Sequence, residues 1–130
     1  MIPKFRVWDK KRSEMINLIA INFHKYIAMD DLICSCNDGP ITRNFQDVVL
    51  MQSTGLHDEQ GREIFEGDIV KIIYDSEPFT GVVVYDLGET DFKATNNRED
   101  YGNNFQYLTV GESIEVIGDI HKNPELLEDV

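Results

Sequence analysis

Residues 50–70 read LMQSTGLHDEQGREIFEGDIV, and this stretch decides the fold. Its strand-forming residues are interrupted by Gly and Asp at the intervals where a chain turns back on itself. Gly adopts a positive φ without steric cost, and Asp accepts hydrogen bonds from the backbone of its own turn. The spacing therefore predicts short β-strands joined by tight turns. The predicted turn motif consists of Thr54, Gly55, Asp58, Gly61, Glu66, Gly67 and Asp68.

The turn motif offers acidic groups but no recognisable catalytic pair. His57 lies beside Asp58, yet no Ser, Cys or Thr is linked to it by a known catalytic pattern. Carboxylates such as Asp58, Glu63 and Asp68 suit Mg²⁺ or Ca²⁺, but the EF-hand pattern is absent and turns also require acidic residues. We predict a structural role, with no catalytic, cofactor-binding or metal-binding residue. A metal-dependent hydrolase that uses the Asp58–Asp68 carboxylates remains an alternative.

The N-terminal part of the sequence shows the alternation typical of strands. Lys4–Trp8 alternates between two faces, Asp9–Ser13 is a polar turn, and Met15–Ile21 is expected to pair back as a hairpin. Residues 15–29 fit an extended chain with its odd-numbered side chains buried, and they also fit the 3.6-residue period of a helix. The content of Ile and Asn favours strands. Asp30–Asp47, which contains Asn-Asp-Gly-Pro, is predicted to be a loop or linker.

The C-terminal part is predicted to contain about five short strands. The predicted strands include Val48–Gln52, Ile69–Tyr74, Gly81–Asp86 and Ile114–Ile120. Closing such strands into a small barrel removes open sheet edges. Asn123 followed by Pro124 predicts the start of a short C-terminal helix. Asp91–Asn104 is polar and Asn-rich, and we expect a plain surface loop there, with a variable functional loop as the alternative.

The net charge of −12 is unevenly distributed. Residues 1–47 contain seven Lys or Arg and six Asp or Glu, whereas residues 48–130 contain five and eighteen. Such an acidic surface repels phosphate backbones, so direct nucleic-acid binding is disfavoured. Solubility explains the charge most simply; an acidic face for a basic protein, or mimicry of nucleic-acid charge, are alternatives. A cluster of basic residues in the N-terminal part is expected to form a solvated turn, with docking of this basic hairpin on an acidic neighbouring subunit as an alternative. The cluster consists of Lys4, Arg6, Lys10, Lys11 and Arg12.

The two cysteines, Cys34 and Cys36, are one residue apart. Such a pair rarely forms a disulfide, and no second pair with zinc spacing exists, so we expect ordinary thiols. No stretch approaches the roughly 20 apolar residues of a membrane span, and the N-terminus lacks a signal-peptide pattern. We expect a cytoplasmic protein with no membrane partner and no cofactor.

The N-terminal part holds more apolar residues than one short hairpin can bury. An exposed apolar patch is unfavourable in a monomer, and a closed symmetric assembly would cover it. We therefore predict a homo-oligomer. The predicted interface includes Phe5, Trp8, Ile19 and Phe23.

Together with KFRVWD at Lys4–Asp9 and EVIGDIHKNPEL at Glu115–Leu126, the turn motif resembles the YopX family of small phage and prophage proteins. This resemblance implies a phage-derived protein in the bacterial cytoplasm and an SH3-like β-barrel over residues 48–130. Residues 1–47 would then form a strand-rich extension and linker. The resemblance implies no activity and supplies no catalytic residue.

The function predicted from these observations is not enzymatic. We expect a non-catalytic accessory module that self-associates or binds a host or phage protein. One alternative is an acidic mimic or inhibitor that acts on a nucleic-acid-binding protein of the host. The other is the metal-dependent hydrolase described above.

Overall fold

The computed structural model describes residues 4–22, 31–36, 39–96, 105–109 and 113–127. Its strands are β1 (Phe5–Asp9), β2 (Glu14–Asn22), β3 (Asp31–Cys36), β4 (Gly39–Asn44), β5 (Val48–His57), β6 (Glu63–Phe65), β7 (Asp68–Tyr74), β8 (Glu77–Asp86), β9 (Asp91–Thr95), β10 (Phe105–Tyr107) and β11 (Ser113–Asp119). Two 3₁₀ turns cover Phe45–Asp47 and Pro124–Leu127. The predicted mainly β fold is confirmed, and the expected C-terminal helix is a single 3₁₀ turn.

The strands form two antiparallel sheets. One has the order β4-β3-β2-β1-β5-β6, and the other has the order β10-β9-β8-β7-β11. The chain divides into two compact units, Met1–Gln52 and Ser53–Val130. Strand β5 passes from the first unit into the second, because its first half pairs with β1 and its second half pairs with β6. Within the described part of the chain, no helix has the length and apolar character needed to cross a membrane.

The first unit is built on the predicted β1–β2 hairpin. Val7 lies opposite Ile16 in antiparallel register, and the Ser13 N–H closes the turn by donating to the Asp9 carbonyl oxygen at 2.8 Å. One face of the sheet carries a buried apolar cluster. Its buried members are Val7, Ile16, Leu32, Cys34 and Val48. The hairpin expected from Lys4–Ile21 is therefore confirmed.

A β-bulge changes the burial pattern that the sequence predicted for β2. Leu18 lies opposite Cys34 and Ala20 lies opposite Ile33, which leaves Ile19 as the extra residue. Before the bulge the even-numbered Ile16 is buried, while Ile19 is 57% exposed. The predicted odd-numbered buried face is therefore wrong here, and so is the helical alternative for residues 15–22. Residues 23–30, which include the predicted interface residue Phe23, lie outside the described residues.

The loop or linker predicted for Asp30–Asp47 is wrong for the described residues. Strands β3 and β4 pair from Asp31 opposite Asn44 to Cys36 opposite Gly39. Pro40 has no N–H to donate, but β4 is at the edge of its sheet, where one side of the strand needs no ladder partner. Of the Asn-Asp-Gly-Pro stretch, Gly39 and Pro40 therefore begin β4, and residues 37 and 38 lie outside the described residues.

In the second unit the strands surround a second buried cluster. Its members are Ile64, Val70, Ile72, Val83, Ala94 and Leu108. The strands predicted from Val48, Ile69, Gly81 and Ile114 are confirmed as β5, β7, β8 and β11.

The surface loop predicted for Asp91–Asn104 is wrong at its start, because Asp91–Thr95 forms β9 and pairs with β8. Asp91–Thr95 is too short an alternating segment to be predicted as a strand from the sequence alone. Residues 97–104 lie outside the described residues.

Candidate functional site

Asp58 uses both of its carboxylate oxygens to hold the backbone at the β5–β6 turn. Oδ1 accepts hydrogen bonds from the Gln60 N–H at 3.0 Å and the Arg62 N–H at 2.8 Å, and Oδ2 accepts one from the Val116 N–H at 3.0 Å. Asp58 is only 6% exposed. Burial by itself would raise the pKa of Asp58. The three N–H donors outweigh that effect by stabilising the carboxylate, so the pKa lies below its usual value.

Asp68 and Gly67 hold the turn between β6 and β7 in a similar way. The buried Asp68 accepts a hydrogen bond from the Phe65 N–H at 2.8 Å across the Glu66–Gly67 turn. Gly67 donates to the Val83 carbonyl oxygen at 2.9 Å, and its own carbonyl oxygen accepts from the Ile120 N–H at 2.8 Å. This turn therefore ties together segments that are distant in the sequence.

Thr54 and Gly55 shape an irregular segment of β5. The Thr54 hydroxyl donates to the Ile64 carbonyl oxygen at 2.7 Å and accepts from the Leu56 N–H at 3.1 Å. The Gly55 N–H donates to the Ser53 hydroxyl oxygen at 3.1 Å. The positive φ angles expected for turn glycines are found at Gly55 (80°), Gly61 (84°) and Gly67 (85°).

The turn motif has the arrangement of a structural network. Both carboxylate oxygens of Asp58 and Oδ2 of Asp68 accept backbone N–H groups. His57 is exposed on β5 and lies opposite Glu63. Among the described residues, no group of three or more His, Cys, Asp or Glu side chains is placed to hold a metal ion. The geometry gives the hydrolase alternative no support.

Two buried polar features were missed by sequence reasoning. In the first unit, Asp9 is fully buried, and its Oδ1 accepts from Arg43 Nε at 3.0 Å. Its Oδ2 is buried without a hydrogen-bond partner among the described residues. In the second unit, Asp119 Oδ1 accepts from the His121 and Lys122 N–H groups and forms a turn. The sequence placed Asp9 at the start of a polar turn, and no pattern indicated that its side chain is buried.

The cysteines are not arranged for thiolate chemistry. Cys34 is buried, and burial together with the nearby Asp9 carboxylate raises the pKa of its thiol despite the opposing charge of Arg43. A thiol with a raised pKa is a poor nucleophile at neutral pH. The Cys36 thiol donates to the Gly39 carbonyl oxygen at 3.2 Å.

A small polar cavity in the first unit is too limited to be the site of a larger ligand. Its volume is about 190 Å³, below the roughly 300 Å³ at which small-molecule pockets begin. It is lined by Glu14, Met15, Ile16, Asn17, Ser35 and Cys36.

The best candidate for a binding surface is the hairpin between β8 and β9. We call residues 85–93 the acidic hairpin. Asp86 and Asp91 lie directly opposite each other on the two strands, and Glu89 lies in the turn between them. Like charges in this cross-strand arrangement repel each other, which makes the hairpin attractive to cations. Leu87, in the same turn, is 84% exposed and the most exposed large apolar residue described.

Aromatic rings lie on both sides of the acidic hairpin. The Tyr85 and Phe92 rings are paired with their centroids 5.0 Å apart, and Tyr85 is exposed. On the opposite face, Phe105 and Tyr107 of β10 meet edge to face with their centroids 5.4 Å apart. Exposed aromatic and aliphatic groups among charges are typical of protein-binding surfaces.

A lysine of the hairpin shows how this surface holds a positive charge. Lys93 Nζ lies 2.6 Å from Asp86 Oδ2 and 4.3 Å from the centroid of the Phe105 ring. The hydrogen bond from Lys93 is the main cause of the lowered pKa of Asp86, together with the N–H groups of the turn. The Tyr107 hydroxyl donates to Glu89 Oε2 at 2.7 Å, which raises the pKa of Tyr107. Carboxylates and rings together therefore form a cation-binding environment.

The acidic hairpin was not identified from the sequence as a hairpin, although its residues 91–93 belong to the segment with the functional-loop alternative and a turn signal was present. Asp86 followed by Gly88 is a turn signal at the end of a predicted strand, and the Gly88 N–H does donate to Asp86 Oδ1 at 2.8 Å. Of the predicted interface residues, Phe5 and Trp8 are half-buried on β1, and Ile19 is exposed on β2.

Comparison with known proteins identifies the family. The family model described as YopX protein matches residues 4–128. The chain belongs to the YopX family. The predicted family is therefore confirmed. No curated protein matches the chain.

Two solved structures share the architecture of this YopX family member. The crystal structure of protein EF1440 from Enterococcus faecalis has 28% sequence identity and a TM-score of 0.60, and the match covers 98% of this chain and 99% of that chain. The crystal structure of protein yopX from Bacillus subtilis has 24% identity and a TM-score of 0.61, with 94% and 95% covered. The second similarity shows the fold alone.

Proposed function

We propose that this chain is a non-catalytic protein-binding module whose binding surface is the acidic hairpin. The observation that carries the proposal is Leu87, an 84% exposed apolar side chain that is surrounded in the sequence by Asp86, Glu89 and Asp91. Exposed apolar groups within a polar rim mark interaction sites. A partner that fits this surface has an apolar contact flanked by Lys or Arg.

The proposal extends to the biological setting and to the fold of the second unit. It describes a phage-derived accessory protein that acts in the cytoplasm of a bacterial host, on a host or phage protein. The antiparallel strands around one buried cluster support an SH3-like barrel over residues 48–130, preceded by the extension of residues 1–47. The family membership supports the setting, although the relatives described above are not assigned a function by their names.

Self-association is the second part of the proposal. Ile19 projects from a β-bulge with 57% of its surface exposed, and Phe45 in the first 3₁₀ turn is also exposed. The predicted homo-oligomer would cover these exposed apolar groups of the first unit. A closed assembly of identical copies would bury them symmetrically.

Binding through the acidic hairpin is tested with a single substitution and a matched control. Leu87→Ser removes the exposed apolar group of the hairpin, and Tyr74→Ser removes another exposed apolar group of the second unit, at the end of β7. The immobilised wild-type chain should capture a defined protein from bacterial lysate. Leu87→Ser should lose most of that protein, and Tyr74→Ser should retain it. Equal capture by both variants would contradict the proposal.

The acidic mimic is less well supported by the geometry. Mimicry of a nucleic acid requires carboxylates that present unneutralised charge at regular spacing. Asp86 is instead paired with Lys93, which neutralises its charge. This pairing suits a local protein-binding surface better than an extended charged track.

A further inference from the structure

The acidic hairpin has a matching surface in this chain. Lys10, Lys11 and Arg12 are the only run of consecutive basic residues in the sequence, and all three are exposed at the tip of the β1–β2 hairpin. We call these three residues the basic turn. We propose that the acidic hairpin of one copy binds the basic turn of a second copy. The inference rests on the proposed function, because it names the partner of the same surface.

The basic turn is held in a defined shape by the neighbouring 3₁₀ turn. The Lys10 N–H donates to the Asp47 carbonyl oxygen at 3.0 Å, and Lys10 Nζ donates to the Gln46 carbonyl oxygen at 3.1 Å. Lys11 Nζ lies 3.4 Å from Asp47 Oδ2. A preorganised surface loses less conformational entropy on binding than a mobile one.

The two surfaces are complementary in apolar content as well as in charge. The exposed ring of Phe45 lies in the 3₁₀ turn that holds the basic turn, and the exposed Leu87 lies in the acidic hairpin. An interface needs such apolar contacts at its centre, since exposed ion pairs contribute little affinity by themselves. The charges would determine which surfaces meet and in what orientation.

The acidic hairpin already holds one cation of its own chain. Lys93 is bound between the Asp86 carboxylate and the Phe105 ring, at 2.6 Å and 4.3 Å. Glu89 and Asp91 are the remaining carboxylates of the hairpin, and both are exposed. Glu89 accepts a hydrogen bond from the Tyr107 hydroxyl and Asp91 accepts one from the Phe92 N–H, but neither contact neutralises the carboxylate. Both side chains therefore keep a negative charge for Lys10 and Lys11 of a second copy.

Each copy carries one basic turn and one acidic hairpin, so two contacts can form in one assembly. If both form between the same two copies, the result is a two-fold dimer. If each copy uses its surfaces with different neighbours, the result is a ring or an open chain. In every case the association should weaken as ionic strength rises, because the charges that select the partner are exposed.

Reciprocal charge reversal in the full chain tests the contact. One variant combines Lys10→Glu with Lys11→Glu, and the other combines Glu89→Lys with Asp91→Lys. Asp86 is left intact because it holds Lys93 and the hairpin turn. We expect each variant alone to associate at least about tenfold more weakly than the wild type, because like charges then face each other. An equimolar mixture of the two variants should regain the wild-type mass by light scattering.

Matched charge reversals elsewhere provide the control. Asp75→Lys with Glu77→Lys, at the exposed β7–β8 turn, changes the net charge as much as the reversal in the hairpin. Lys71→Glu with Lys122→Glu, also at exposed residues, changes the net charge as much as the reversal in the basic turn. Both control variants should keep the wild-type mass. Circular dichroism identifies any variant that fails to fold, and the weakened association of the other variant by itself then tests the contact.

The outcomes separate this inference from the proposed function. If the wild type exceeds 15.0 kDa and the reciprocal variants keep its mass, the copies meet elsewhere and only this inference is overturned. If the wild type has the mass of one chain, the proposed self-association is overturned as well. If the hairpin reversal abolishes capture of a lysate protein without changing the mass, the occupant of the hairpin is that other protein, and the second copy is excluded.

Discussion

At the scale of single residues, Asp58 connects the protonation of one carboxyl group to the stability of the second unit. Its carboxylate is held by three backbone N–H groups, and its pKa is lowered although burial opposes ionisation. A carboxyl group whose pKa is lower in the folded chain than in the unfolded chain stabilises the fold only while it is ionised.

Asp58→Asn should destabilise the chain by about 1–3 kcal/mol at pH 7, because the amide group of Asn turns a hydrogen-bond donor towards a backbone N–H. Urea unfolding of the two proteins measures this difference. Asp75→Asn is the control, since Asp75 is exposed and its φ of 52° is one that Asn tolerates. An unfolding midpoint for Asp58→Asn equal to that of the control would contradict the structural role.

The same pair of proteins should show a specific dependence on pH. The stabilisation by Asp58 is fully present above the pKa of an unfolded Asp, about 4, and is lost as the pH falls through the lower pKa of the folded chain. The difference between wild type and Asp58→Asn should therefore be constant from about pH 5 to 8 and decrease below about pH 4. If the difference appeared only on addition of Mg²⁺, the metal-dependent alternative would be supported instead.

At the scale of elements, the sequence predicted those strands whose burial pattern is local. The hairpin from Lys4 to Ile21 was predictable because its alternation and its polar turn are both visible in the sequence. The bulge at Ile19 was not, since a bulge is defined by the register of the partner strand β3. Strand β4 was missed because Pro40 reads as a strand breaker, and only its place at the edge of the sheet makes it acceptable.

The candidate site was likewise predictable only where its contacts depend on the local sequence. The turn roles of Asp58 and Gly61 follow from local spacing, but the bond from Val116 to Asp58 depends on a strand far along the chain. The acidic hairpin was missed because β9 gains its strand conformation by pairing with β8. Exposure of Leu87 is also a property of the folded chain, and no sequence pattern reports it.

The close approach of β8 and β9 gives a prediction at this scale. A Cβ atom added at Gly81 would lie 3.0 Å from the backbone carbon and nitrogen of Thr95 and 2.9 Å from the Phe79 ring. Backbone atoms in a paired strand cannot move aside readily, so Gly81→Ala should destabilise the chain by about 1–3 kcal/mol. Gly88→Ala in the same hairpin is the control, with 3.2 Å to an Asp86 side-chain oxygen. Thermal unfolding of both variants measures the effect, and equal midpoints would contradict it.

At the scale of the whole molecule, the exposed apolar residues of the first unit support the predicted homo-oligomer. Light scattering at micromolar concentration should give a mass above the 15.0 kDa of one chain. Ile19→Ser should lower that mass if the outer side of β2 takes part, because an exposed apolar anchor would be lost. Tyr74→Ser, which removes an exposed ring from β7, should not change it. A mass equal to one chain for the wild type would leave no role for Ile19 in self-association.

The hydrogen bond between Asp58 and the Val116 N–H also has a consequence for synthesis of the chain. The two residues are 58 positions apart. At about 5–20 residues per second, a ribosome needs roughly 3–12 s to make the intervening segment. Strand β7 is made within that interval, and the edge of β7 that pairs with β11 stays open until β11 is made, so the cluster around Val70 and Ile72 lacks Ile114 and Val116 until then. The nascent chain therefore passes through a period of exposure to aggregation and to chaperones that lasts until β11 has left the ribosome.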